Sequence, residues 1–157
     1  MSHWSFYCYG IPAPQGSKRH VGNGVMVESS KKVTPWREAV KAAAEGAGSK
    51  LDGPLVVAMV FTLPRPKSAK KDYVIPSKYP DLSKLARSTE DAISEVGLWE
   101  DDARVASYAV LMKVFPAFHD WALPNPGVVV AACTIPAQVE LEVLLGAEVG
   151  AAKARAA

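Results

Sequence analysis

Two apolar runs set the terms for this chain. Val56-Val57-Ala58-Met59-Val60-Phe61 sits inside Leu55–Leu63, and a second run spans 127–135. Each is about ten residues or shorter, where a membrane-crossing helix needs roughly 20. Both read as strands, the first of them buried. The 157 residues amount to one domain. With 49% apolar and 22% charged residues, that domain can bury a core without disulfides or metal. Cys8 and Cys133 are the only cysteines, and His3, His20 and His119 are scattered, so a zinc site is not expected. No basic start followed by an apolar core and a small-residue cleavage site opens the chain. The expectation is a cytoplasmic protein with no membrane partner. Neither GxxxxGK[ST] nor a GxGxxG after a strand is present.

Other elements follow from local signals. Trp4–Tyr9 alternates and predicts a strand; Gly22-Asn23-Gly24 precedes a short one at Val25–Glu28. Thr34-Pro35 predicts a helix start, with Thr34 as N-cap, running to about Glu45. Leu82–Val96 predicts a second helix. Its apolar face carries Leu82, Leu85, Ala86, Thr89, Ala92, Ile93 and Val96; its polar face carries Ser83, Lys84, Arg87, Glu90, Asp91 and Ser94. Gly97 ends it. Residues 64–80 form a long polar loop with four prolines, and Ala103–Val114 reads as a strand. Residues 137–157 read as a weak helix with a frayed end. The order β-β-α-β-α-β-β predicts an α+β single domain over 1–136, a mixed sheet with two main helices on one face, and a C-terminal tail over 137–157.

The net charge of +2 hides a polarity. Residues 1–80 hold 12 Lys/Arg against 5 Asp/Glu, a balance of +7; residues 81–157 hold 6 against 11, a balance of −5. Lys18-Arg19, Lys31-Lys32, Arg65 with Lys67, and Lys70-Lys71 cluster in the first half. Asp81, Glu90, Asp91, Glu95, Glu100, Asp101 and Asp102 crowd into 81–102. A basic surface beside a local acidic cluster fits a polyanion held by one part and worked on, through a bound cation, by the other. Two solvated faces of an ordinary domain are the plain alternative.

Within the acidic stretch, Asp81 sits at the helix start, while Asp101 and Asp102 enter the next strand after Gly97. Whether Asp81 and Asp102 meet depends on tertiary packing. If they meet, such oxygen ligands suit Mg²⁺, with Mn²⁺ as substitute. A bound ion of this kind polarises a phosphoryl oxygen and lowers the pKa of water, and Arg87 can grip a phosphate. From the residues alone, Asp81 is equally a helix cap, Arg87 and Asp91 equally an i, i+4 surface pair, and 100–102 equally a solvated turn.

A resemblance weighs on that choice. The stretch from Tyr9 through Gln15-Gly16-Ser17-Lys18 to Arg19, then Ser29-Ser30-Lys31-Lys32-Val33-Thr34-Pro35-Trp36-Arg37, resembles the RusA family of Holliday junction resolvases. Pro80-Asp81-Leu82-Ser83-Lys84-Leu85, Asp91-Ala92-Ile93 and Asp101-Asp102-Ala103-Arg104-Val105 are similar to that family's aspartate signature, and the match covers about 6–135. The resemblance implies a dimeric, Mg²⁺-dependent endonuclease, phage or bacterial, that nicks two opposing strands of a four-way junction. Asp81 and Asp102 match metal-binding aspartates, Asp101 the neighbouring acidic position, and Arg87 a basic position that is commonly lysine. The family usually reads Asp-Leu-Asp where this chain has Asp81-Leu82-Ser83. Glu90, seven residues after Ser83 and on the same helical face, is the best replacement carboxylate, with Asp91 next. The expected catalytic set is Asp81, Asp102, Arg87 and Glu90, and the expected metal set Asp81, Asp101, Asp102 and Asp91. DNA is expected to meet Gln15, Ser17, Lys18, Arg19, Lys31, Lys32, Arg65, Lys67, Lys70, Lys71 and Lys113, through phosphates and shape. The alternative is a branched-DNA binding protein weakened in catalysis by Ser83; a third reading is an acidic helix face that docks a basic partner.

Overall fold

The computed structural model describes residues 2–16, 18–28, 31–135 and 141–157. Along these residues run β1 (His3–Tyr9), β2 (Lys18–His20), β3 (Met26–Glu28), α1 (Val33–Ala44), β4 (Leu55–Thr62), α2 (Leu82–Val96), β5 (Val105–Val114), β6 (Gly127–Thr134) and α3 (Leu141–Ala156). The two apolar runs become β4 and β6, paired antiparallel in the middle of a four-stranded mixed sheet of order β1-β6-β4-β5. β1 pairs antiparallel with β6, and β5 runs parallel to β4. A parallel pair needs a crossover, and α2 supplies it. The chain is an α+β single domain with three helices.

Both faces of the central strands are apolar, so both need cover. Leu55, Val57, Met59 and Phe61 of β4, with Val128, Val130 and Ala132 of β6, pack beneath α1 and α2. The alternate residues Ala58, Val60, Val129, Ala131 and Cys133 pack against Leu145, Val149 and Ala152 of α3. The C-terminal segment, read as a weak helix with a frayed end, carries a 16-residue helix that closes the second face; residues 136–140 lie outside the described residues. Burial on that scale, at about 25 cal/mol per Å² of apolar surface, makes α3 part of the core.

Some local expectations shift. α1 begins at Val33, with Lys32 in the cap position and no side-chain cap hydrogen bond, so Thr34 is not the N-cap. The helix starts two residues earlier than expected, with the Val33 side chain buried, and Pro35 still falls in the first turn, where its missing N–H is not needed. A strand not foreseen, β2, pairs with β3 in a separate two-stranded sheet. The turn between them places Gly22, Asn23 and Gly24 at positive φ. After α2, Gly97 takes the left-handed conformation at φ 85°, and its N–H donates to the carbonyls of Ile93 and Ser94. A 3-10 turn at Asp102–Arg104 then precedes β5, which starts at Val105 rather than Ala103.

Candidate active site

α2 is held on two sides. Trp36 Nε1 donates to Thr89 Oγ1 at 3.2 Å, tying α2 to α1. Ser88 Oγ donates to the carbonyl of Ala13 at 2.6 Å, and Gln15 N–H to that of Lys84 at 3.0 Å, tying α2 to the loop after β1. Ser88, assigned to no face by the sequence pattern, is buried for this reason.

Glu90 departs furthest from expectation. It belongs to the polar stripe of α2, yet it is only 7% exposed. Its hydrogen-bond partner comes from β5, where the pairing with β4 slips twice: Leu55 faces Val105 but Val56 faces Ser107, and Val57 faces Tyr108 but Ala58 faces Val110. Ala106 and Ala109 are the extra residues. Such bulges re-aim the side chains around them. Counting back from Leu111, which packs on the α1/α2 face, strict alternation would turn Tyr108 to the α3 face. The bulge at Ala109 turns it toward α2, and Tyr108 Oη donates to Glu90 Oε1.

The electrostatics follow from that geometry. Burial pushes the Glu90 carboxyl up to about 7; the Tyr108 hydrogen bond opposes the rise, the negative charges of Asp102 and Asp91 add to it, and Arg87 opposes it. Burial, then Glu90 and Asp102, push the Tyr108 hydroxyl well above its ordinary value. Glu90, Asp102, Asp91, Arg87 and Tyr108 thus form one interacting group. Asp91 is paired to α1 through Arg37 at 3.7 Å. Arg37 also meets Glu95, which Lys41 joins at 3.0 Å. The exposed Asp101 caps the 3-10 turn by accepting from the N–H of Ala103 at 2.8 Å.

Asp81 stands apart from this group. It occupies the cap position of α2 without a side-chain cap hydrogen bond, and its carboxylate lies 3.5 Å from Lys84 Nζ. A crossover helix runs opposite to its strands, so the start of α2 lies beside the end of β5. Lys113 Nζ shows this by donating to the carbonyls of Lys78 at 2.7 Å and Pro80 at 2.9 Å. Nine residues separate Asp81 from Glu90, about 13 Å of helix rise. Among the described residues no group of three or more His, Cys, Asp or Glu side chains is placed to hold a metal ion. A single chain therefore does not gather Asp81, Asp91, Asp101 and Asp102 into one ligand set.

The basic residues divide by what they touch. Arg65 Nη2 donates to the Lys70 carbonyl at 2.8 Å, and the guanidinium lies 4.9 Å from the centre of the Phe118 ring. Arg65 and Lys113 thus brace the 64–80 loop from inside. Lys31, Lys32, Lys67, Lys70 and Lys71 are exposed. Lys18 and Arg19 stand on β2, opposite Glu28 and Val27; Ser17 lies outside the described residues. A cleft of about 720 Å³ opens between residues 11–14 and the long loop, with Lys32, Lys70 and Lys78 around it and Tyr73 and Phe115 in its wall. Cys8 is buried, and its thiol is pushed up to about 12, which excludes a thiolate nucleophile there. Tyr108 and Lys78 were not singled out by the sequence.

No helix among the described residues is long and apolar enough to cross a membrane. No curated protein matches the chain. The family model for Endodeoxyribonuclease RusA matches residues 10–131, a span from the loop after β1 into β6 that includes Glu90, Asp102 and Tyr108. With most of its length so matched, the chain belongs to the RusA family, whose members are typically crossover junction endodeoxyribonucleases.

Proposed function

We propose that this protein is a Mg²⁺-dependent, structure-selective endodeoxyribonuclease that resolves four-way junctions by hydrolysing phosphodiesters in two opposing strands. The observation that carries the reading is the buried Glu90 carboxylate set in the field of Asp102 and Asp91. Glu90 is buried and Asp102 and Asp91 are half-buried; neighbouring negative charges repel unless something positive joins them. A hard divalent cation on carboxylate oxygens fits that donor set. Glu90 and Asp102 would hold it, while Asp91 is paired to Arg37. The ion, when bound, supplies Lewis acidity toward a phosphoryl oxygen and a water of lowered pKa.

The chain's own residues do the rest. Arg87, exposed on the polar face of α2, grips the phosphate and screens developing charge. Lys31, Lys32, Lys67, Lys70 and Lys71, with Gln15, Ser17, Lys18 and Arg19 on the neighbouring segment, hold the backbone of the DNA arms. A homodimer offers two equal sites to the two-fold junction. Because about 13 Å of helix rise separates Asp81 from Glu90, Asp81 would join the same ion across that two-fold, from the second copy.

Ser83 favours a second reading, a branched-DNA binding protein of the same fold with weak catalysis. It is exposed and neutral, and a hydroxyl is a poor substitute for a carboxylate beside a cation. The test is a labelled four-way junction with Mg²⁺ beside a matched duplex. Paired nicks in the junction, lost in Asp102→Asn with binding retained, support the enzyme. Tight junction binding with no nick in the parent, and nicking gained by Ser83→Asp, support the second reading.

A further inference from the structure

Tyr108 has no role in the residues considered so far, yet the fold goes to some length to aim it. β5 spends an extra residue at Ala109, and only that slip turns the ring from the α3 face to the α2 face. There its hydroxyl meets one oxygen of a carboxylate that is almost wholly buried. Tyr108 is itself 39% exposed, while the carboxylate it meets is 7% exposed. A hydroxyl donor fixes the plane and rotamer of the carboxylate that accepts from it while leaving the second oxygen free. Groups of this kind, behind a metal ligand, set its orientation and are worth about 10- to 100-fold in metal affinity.

We propose that Tyr108 is a positioning residue acting through Glu90: its hydroxyl holds Oε1 so that the other carboxylate oxygen is presented, together with Asp102, to a divalent cation. This rests on the reading of Glu90 and Asp102 as cation ligands. Tyr108 touches neither the ion nor the phosphate in this role. The bulge at Ala109 is then the backbone device that delivers it, since an unbulged β5 would bury or expose Tyr108 on the wrong side of the sheet.

The test is a double-mutant cycle on Mn²⁺ affinity, read on the full chain from the electron paramagnetic resonance signal of free Mn²⁺. The four proteins are wild type, Tyr108→Phe, Glu90→Gln and the double variant, each confirmed folded by circular dichroism. Tyr108→Phe keeps the ring and removes only the hydroxyl. The expected result is a loss of about tenfold in affinity for Tyr108→Phe, a larger loss for Glu90→Gln, and no added loss in the double variant. Full Mn²⁺ affinity in Tyr108→Phe with a loss in Glu90→Gln overturns the role of Tyr108 and leaves the cation reading intact. An equal loss from Tyr108→Phe in both backgrounds overturns action through Glu90. Wild type that binds no Mn²⁺, or Glu90→Gln that binds as well as wild type, overturns the ligand reading itself and this proposal with it.

Discussion

Lys113 donates to the carbonyl of Pro80 at 2.9 Å, so β5 fixes the residue before Asp81 at one end while its Tyr108 holds Glu90 nearer the other. One edge strand thereby contacts α2 both next to Asp81 and at Glu90. Removing the ammonium frees the carbonyls of Lys78 and Pro80 and loosens the end of the 64–80 loop. Lys113→Met is expected to cost about 1–2 kcal/mol, at the low end for hydrogen bonds from a charged donor because one of the two is exposed. It should also speed proteolysis within residues 64–80. Unchanged stability and an unchanged cleavage pattern under limited proteolysis would contradict the brace.

Glu90 gives a pH dependence with a definite sign. Its folded-state value, about 7, lies above the ordinary value of 4.5. The folded state therefore holds the proton more tightly than the unfolded one. This contribution is fully present below about pH 4.5, falls as pH rises, and is gone above about 7. The loss across that window amounts to at most about 3 kcal/mol. In chelator, the urea stability of wild type relative to Glu90→Gln should fall from pH 4.5 to 7 and then level off. A difference that stays flat, or rises, over that window contradicts the buried carboxylate.

The back face of the sheet offers a test of α3. Leu145 is fully buried against Ala58, Val60, Val129 and Ala131. Leu145→Ala should cost about 3 kcal/mol through lost transfer energy and the cavity left behind. Urea denaturation measures it. A cost below about 1 kcal/mol would place α3 outside the cooperative core.

Junction affinity should be steeply dependent on salt. Lys67, Lys70 and Lys71 are exposed on the long loop. If all three meet phosphates, changing them to Ala lowers the slope of log affinity against log salt by about 2 to 3. The same triple change should weaken binding to junctions of different sequence alike, since phosphate contacts carry no sequence information directly. An unchanged slope contradicts a DNA-facing loop.

How far the sequence reaches can be argued residue by residue. α2 was legible from Leu82 to Val96 because its 3.6-residue period is strong and Gly97 marks its end. β4 and β6 were legible from their apolar runs. β2 was not: Lys18–His20 is three polar residues long and becomes a strand only by pairing with Met26–Glu28. The cover of the second face by α3 was obscured because Ala and Gly dominate that helix and give it little apolar asymmetry. The candidate site was legible as a list and not as an arrangement. Asp102 and Glu90 lie in one group, but Asp81 does not join it, since the crossover sends α2 opposite to β5. Glu90 reads as solvated on a helical wheel; in the fold it is buried and accepts from Tyr108, which is aimed by a slip in register at Ala109 that no periodicity encodes.

The most direct measurement of the central claim is cleavage of a labelled four-way junction in Mg²⁺ by wild type, Glu90→Gln and Asp102→Asn, with binding measured on the same preparations. The account predicts paired nicks by wild type, a fall of at least about 100-fold in both variants, and junction affinity within about twofold throughout. Glu90→Gln cutting as fast as wild type, or a wild-type protein that binds the junction and leaves every strand whole, would contradict it.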